Sequence, residues 1–401
     1  MSDVLGFTSL ALVSLLSMFV ASRYSGIIKI FYVALIIRIF ILLIGYYITP
    51  LPDSTADAQS FEGGAWDYAR EGFFSIFDHY RGPDPYFISF FISIPYSLFG
   101  RSILMAQSLS LLFGMGSIFL GWLIAKKLWN NRIANTVGWT MALFPSLVLY
   151  SVLIMREAYI CFFILVAMYG VVDWVRTDKL KSIIVATIGF IGATFFHGAM
   201  VTGLMAFTII VGISNLKRFI KSLINYRINI KILIFLLLIG FGSGLYLAGK
   251  IYVPYLGNAK QTFNLDYILK KTALNTKGTA SWPKWTIPTS PSELLYKSPI
   301  RSIYFISTPF PWDVKEIRHL IGMFDAFLYI YLIFLILKNL KVIWRDPVLK
   351  VILIILVCYV IVFGIGVGNF GTGIRHRSKF TGMFILLAAP WLKRFIFFKK
   401  N

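Results

Sequence analysis

Residues 182–216 read SIIVATIGFIGATFFHGAMVTGLMAFTIIVGISNL, an unbroken run without Asp, Glu, Lys or Arg. A helix rises 1.5 Å per residue, so about 20 apolar residues cross the roughly 30 Å hydrocarbon layer of a bilayer. The run is long enough for two nearly complete crossings that meet at His197-Gly198. Charge-free runs recur at 4–22, 102–125, 133–155 and 351–374. Across all 401 residues 58% are hydrophobic and only 14% charged, against about half and about a quarter in a soluble domain. The composition excludes an ordinary soluble protein. It predicts an all-α polytopic membrane protein, with residues 1–401 forming one integral membrane domain.

The formal net charge of +22 would suit nucleic acid if the cations shared one water-facing surface. Here they fall between the apolar runs, so they read as topology signals and no nucleic-acid partner is expected. Cys161 and Cys358 both lie inside apolar runs and form neither a disulfide framework nor a metal-binding spacing. The N-terminal stretch carries Asp3 and no Lys or Arg before its apolar run, which marks a retained helix rather than a cleaved signal.

Lys and Arg accumulate on the cytoplasmic side of membrane helices. The segments 22–29, 126–132, 176–181, 215–231, 338–350 and the tail from Lys393 hold more than half of the 39 basic residues. They alternate consistently only if YFISFFISIPYSLFG, up to Gly100, lies at the interface instead of crossing. About eleven spans follow, near 5–21, 26–48, 102–125, 133–153, 157–175, 182–197, 199–214, 232–252, 318–338, 351–367 and 380–397. The N-terminus is then outside and the C-terminus inside. Two external segments are long: 49–84, with seven of the seventeen acidic residues, and 253–317, rich in Trp, Pro and Tyr. Their aromatic residues predict short interfacial helices.

Polar residues that hydropathy does not explain gather on the predicted outer side. They are Asp53 and Asp57, the Arg156-Glu157 pair, His197, and Arg375, His376, Arg377 and Lys379 in GNFGTGIRHRSKF, read as an external loop over 368–379. A cationic cluster there opposes the positive-inside bias, and an anionic ligand would reward it. Arg pairs bidentately with phosphate oxygens and Lys adds a point charge. A carboxylate facing that loop has the character of a general base for a sugar hydroxyl. Asp57 is the stronger candidate because ADAQSFEGGAWDYA continues with helical spacing, whereas Asp53 falls on a flexible approach. Glu157 would be a second acid that orients Asp57 or the acceptor. Arg156 would hold phosphate, and His197 joins the site or satisfies a carbonyl in the bundle. No metal or cofactor is expected.

These residues resemble the GT-C superfamily of membrane glycosyltransferases, which use polyprenyl-phosphate-linked sugars and include bacterial relatives of the protein mannosyltransferases. The likeness runs through Asp57-Ala-x-x-Phe61 and Ala65, Leu98-Phe99-Gly100, Ala125-Lys126-Lys127-Leu128, and Ala142-Leu143-Phe144-Pro145-Ser146 to Arg156-Glu157, with Arg375-His376-Arg377 near the last helix. It covers residues 50–175. Many members carry a paired acid where this chain has Ala58. The resemblance implies a GT-C-like fold, with Asp57 as catalytic base and Glu157 as second acid, at the outer face of a bacterial inner membrane. It implies an inverting transferase that moves a sugar from a polyprenyl-phosphate carrier to a glycan or lipid acceptor. Two alternatives stay open: a repeat-unit polymerase for O-antigen or capsule with a polyprenyl-pyrophosphate donor, and a flippase for lipid-linked sugars. The last would favour midplane charges and repeated halves, and the sequence contains no internal repeat.

Overall fold

The computed structural model describes residues 2–224, 248–250, 264–276, 280–314 and 317–392. Among them every regular element is a helix, apart from one isolated bridge between Ser281 and Asn369. Six helical segments are long and apolar enough to cross a membrane. Four are α1 (Ser2–Ser22), α2 (Ile28–Tyr47), α5 (Ile103–Leu128) and α8 (Glu157–Thr177). The fifth, Gly198–Ser222, is a short turn running into α10 (Val201–Ile224). The sixth is α15 (Pro347–Gly366). The protein is a multi-pass helical membrane protein.

Shorter elements complete the bundle. α3 (Asp57–Ala69) and α4 (Phe87–Phe99) form an antiparallel pair, α9 (Leu180–Phe196) packs on α8, and α11 (Leu265–Leu274) and α12 (Pro291–Ser307) lie in the second long segment. α13 (Ile317–Lys338), α14 (Leu340–Arg345), α16 (Phe370–Ser378) and α17 (Thr381–Ala388) follow. The thirteen residues of α4 cover about 20 Å, short of a full crossing.

The single span expected over 133–153 is interrupted. α6 (Asn131–Leu143) stops at Phe144, whose ψ of 121° is extended, and α7 (Pro145–Tyr150) restarts beyond it. Pro145 is the cause: its ring disfavours helical geometry in the residue before it, and it has no N–H to continue the ladder. The loop expected over 368–379 is also corrected. Most of it is α16, capped by Asn369, whose side chain accepts the Thr372 N–H at 2.8 Å. Most of the span expected at 232–252 lies outside the described residues, as do Arg227, Lys231, Lys393, Arg394, Lys399 and Lys400.

Close helix approach builds the frame around the site. A Cβ added at Gly170 would come within 2.4 Å of the Ala186 backbone, and one at Gly189 within 2.3 Å of the Ala167 backbone. Only glycine lets α8 and α9 pack at that separation, a means of association that serves where no hydrophobic drive exists between helices in lipid. The connections sort to two ends. At one end Tyr46 reaches Asp3 (2.9 Å), the end of α2 and the start of α5 line one cleft, and His197 after α9 packs on Phe363 near the end of α15. At the other end Lys127 pairs with Asp173, Arg176 donates to Leu128 O (3.1 Å) and Arg218 pairs with Asp178. The first end carries the candidate site and the second carries the basic connections at 22–29, 126–132 and 176–181.

Candidate functional site

Asp57 is the first residue of α3, and the backbone delivers it there abruptly. Asp53 (φ 60°) and Ala56 (φ 51°) both take left-handed conformations, which cost non-glycine residues of order 1–3 kcal/mol and concentrate at functional sites. Asp53 on this approach has a partner in the bundle: Tyr150 donates to its carboxylate at 2.7 Å. α3 is then fixed by α4: Ser89 donates to Phe61 O (2.8 Å), and Tyr96 and Arg101 both bind Glu62.

Across from Asp57 stands α16. Arg375 Nη1 donates to Asp57 Oδ2 at 2.5 Å, and its Nε lies 3.3 Å from Glu157 Oε1. The side chain of Asp57 is 51% exposed, that of Arg375 17% and that of Glu157 1%. One guanidinium therefore joins an open carboxylate to a sealed one. Lys379, fully buried, lies 3.6 Å from the same Glu157 oxygen and 2.7 Å from His376 Nδ1. His376 faces His197 with ring centroids 5.1 Å apart, and both pack on Phe363. Arg156, beside Glu157, donates to Pro85 O (3.3 Å) and lies over the Phe61 ring at 5.0 Å.

The electrostatics follow from this packing. Desolvation alone would lower the Arg375 pKa, but Glu157 and Asp57 outweigh it and raise it above the ordinary value. Burial pushes Lys379 well below the usual lysine range against the opposing pull of Glu157. Desolvation, then Lys379, lowers His376 well below the usual imidazole value. Neither oxygen of Glu157 accepts a hydrogen bond. It is a buried anion compensated by charge at 3.3 and 3.6 Å, an arrangement in which removal of one partner is costly.

Of the eight site residues expected from sequence, seven gather here: Asp57, Arg156, Glu157, His197, Arg375, His376 and Lys379. Arg377 does not. It is fully buried and turned away, and all five of its N–H groups are engaged. Nε and Nη2 reach Asp325 (3.3 and 3.0 Å), Nη2 also reaches Gly322 O (3.3 Å), and Nη1 reaches Ile306 O and Thr308 O (2.9 and 2.5 Å). The expectation that Arg377 binds phosphate is corrected, because it has no donor left for a ligand.

No family model, curated protein or solved structure matches the chain. The assignment of function therefore rests on the chemistry of these side chains.

Sequence reasoning missed two residues that hold the site in place. Asp325 anchors α16 through Arg377 and also accepts the Ser146 N–H at 3.3 Å. Its signal was an acid inside the apolar run MFDAFLYIYLIF, where a charge demands a partner. Arg301, fully buried, donates to Gly364 O (3.2 Å), Ile365 O (3.3 Å) and Val367 O (2.5 Å). It caps the carbonyls left open at the end of α15. The chain then passes into α16 through Trp282 N–H to Gly368 O (2.9 Å) and Phe370 N–H to Ala280 O (3.0 Å). Among the described residues no three His, Cys, Asp or Glu side chains converge as metal ligands.

Proposed function

We propose that the protein is a membrane glycosyltransferase that moves a sugar from a polyprenyl-phosphate carrier to a glycan or lipid acceptor, with Asp57 as general base. The observation that carries this reading is the Asp57–Arg375–Glu157 chain, an exposed carboxylate tied through one guanidinium to a sealed carboxylate. Arg156 and Arg375 offset Asp57 and Glu157 in formal charge, and with Lys379 protonated the site carries one positive charge more, which an incoming phosphate would hold in place and balance. Without donor, Arg375 holds Asp57 and weakens it as a base. A phosphate competes for the same N–H groups through charge-assisted bidentate bonds, so donor binding draws Arg375 off Asp57 and frees the carboxylate.

In the transfer step the acceptor hydroxyl oxygen bonds to the anomeric carbon and its proton passes to Asp57. The bond from that carbon to the phosphate oxygen breaks, and its electron pair leaves on polyprenyl phosphate with inversion. Arg375 and Arg156 balance the charge that develops on the leaving oxygen. A positioned base of this kind contributes typically about 10²- to 10⁴-fold. Glu157 acts through Arg375 and Lys379, holding both cations in place. The engagement of Arg377 elsewhere leaves fewer cations at the mouth, which suits one phosphate better than the pyrophosphate of a repeat-unit polymerase. The reading includes about eleven spans in a GT-C-like arrangement in a bacterial inner membrane. Its site end faces outward, supported by basic connections gathering at the opposite end.

The test is transfer in a closed assay. Purified protein in nanodiscs is given a panel of short-chain polyprenyl-phosphate sugars with lipid and glycan acceptors, with no gradient present. New glycoside should appear in step with free polyprenyl phosphate. Donors that move between leaflets in vesicles but are never cleaved would establish a flippase instead.

A further inference from the structure

A second cleft lies on the other face of α3, separate from the cationic cluster. It encloses about 560 Å³, within the range of about 300–1,000 Å³ typical of small-molecule sites. The end of α2 with the segment after it (Tyr46 to Pro50), one side of α3 (Ala58, Gln59, Glu62, Gly63), Arg101, Gln107 and Ile154 line it. Three features define what it would bind. First, its charges are already matched: Arg101 Nε and Nη2 clasp Glu62 at 2.9 and 2.6 Å, and Tyr96 completes that carboxylate at 2.9 Å. The cleft therefore offers polar groups without net charge, which disfavours a phosphate. Second, Gln107 lines it and is only 8% exposed, and its amide oxygen has no hydrogen-bond partner. A buried polar atom left unsatisfied costs about 1–3 kcal/mol, a penalty that a donor hydroxyl would remove. Third, aromatic and apolar walls alternate with hydroxyls. Tyr46 and Tyr47 stand edge to face at 4.7 Å, and Ile48, Ile154, Ser54 and Thr55 line the same cleft.

Matched charge, an unpaired amide and tyrosine faces beside hydroxyls are complementary to an uncharged sugar, which has both C–H faces and donor hydroxyls. We infer that this cleft is a binding site for a neutral carbohydrate. Its place in the proposed transfer rests on the glycosyltransferase reading: α3 begins at Asp57 and its next turn faces the cleft, so a sugar held there is the acceptor glycan and not the phosphate-linked donor. Binding itself does not depend on that reading.

Gly63 supplies the cleanest perturbation. A Cβ added there meets no atom within 4 Å, so Gly63→Phe starts a ring into the cleft from an open position, while Gln107→Leu removes the amide. The probes are neutral tri- and tetrasaccharides and a sugar phosphate, with binding measured on detergent-purified protein by saturation-transfer NMR. At least one neutral oligosaccharide should bind wild type and Asp57→Asn alike, and the sugar phosphate should not compete for it. Gly63→Phe and Gln107→Leu should each weaken binding at least about 10-fold. Absence of binding by every neutral probe, or unchanged binding in folded Gly63→Phe, would overturn the proposal. Because Asp57→Asn retains this site, loss of the transferase reading and loss of this one give different results.

Discussion

The buried Arg377–Asp325 pair gives the sharpest contrast between a structural and a ligand-binding arginine. Arg377 is 0% and Asp325 2% exposed, 3.0 Å apart. In Arg377→Met the Asp325 carboxylate keeps only the Ser146 N–H at 3.3 Å. An uncompensated buried charge of this kind costs about 3–5 kcal/mol. The same substitution strips a donor from Ile306 O, Thr308 O and Gly322 O, at about 1 kcal/mol each. The two contributions are of similar size, and a cycle separates them. Asp325→Leu in the Arg377→Met background should return most of the ion-pair share and none of the carbonyl share, so the double variant should lie between wild type and the single one. Thermal unfolding in detergent, followed with SDS titration for free energies, supplies the numbers. A fully stable Arg377→Met protein that has lost donor binding would refute this reasoning and return Arg377 to the ligand site.

Other consequences test separate parts of the account. Arg375→Ala should weaken donor binding by about 1–3 kcal/mol, the range of a charge-assisted hydrogen bond with its desolvation, and Lys at that position should restore only part because it lacks the fork; donor titration that leaves the alanine variant at wild-type affinity removes the phosphate role. His376 has a folded-state pKa below its unfolded value, so the unfolded chain binds more protons and stability should fall as pH drops below about 6.5. His197, Lys379, Arg375 and Arg156 surround it. His376→Gln should therefore lose less stability between pH 7 and pH 5 than wild type; equal loss places the titration elsewhere. Single cysteines at Ser60 and Asn131, in a background without Cys161 and Cys358, should differ in intact cells, with an impermeant thiol reagent labelling Ser60 alone. The reverse pattern inverts the orientation.

The long helices were legible because bilayer thickness acts on uninterrupted local sequence, as at 182–216. The convergence of Asp57 with Arg375, 318 residues apart, was legible for another reason: a cationic cluster on the predicted outer side opposes the positive-inside bias and calls for an anionic partner there. What was not legible turns on geometry. Reading 368–379 as a loop merged Arg375 and Arg377 into one cluster. In a helix, residues two apart point to nearly opposite sides, while those three or four apart share a face. α16 accordingly sends Arg375, His376 and Lys379 to the site and Arg377 to Asp325. The Asn369 cap was the local sign of that helix. The partner of Asp53 was not legible because Tyr150 lies 97 residues away in the short helix restarted by Pro145, which hydropathy had absorbed into one span.

The central claim is that Asp57 accepts the proton of the acceptor hydroxyl. Asp57→Asn keeps the size of the side chain and a carbonyl that Arg375 can reach, but it cannot take the proton. Its turnover in nanodiscs should fall by at least about 10²-fold while donor affinity stays within a few-fold of wild type. Asp53→Asn, which keeps an acceptor for Tyr150, should retain most activity. Full turnover in Asp57→Asn would contradict the account and leave Glu157 as the remaining acid at the site.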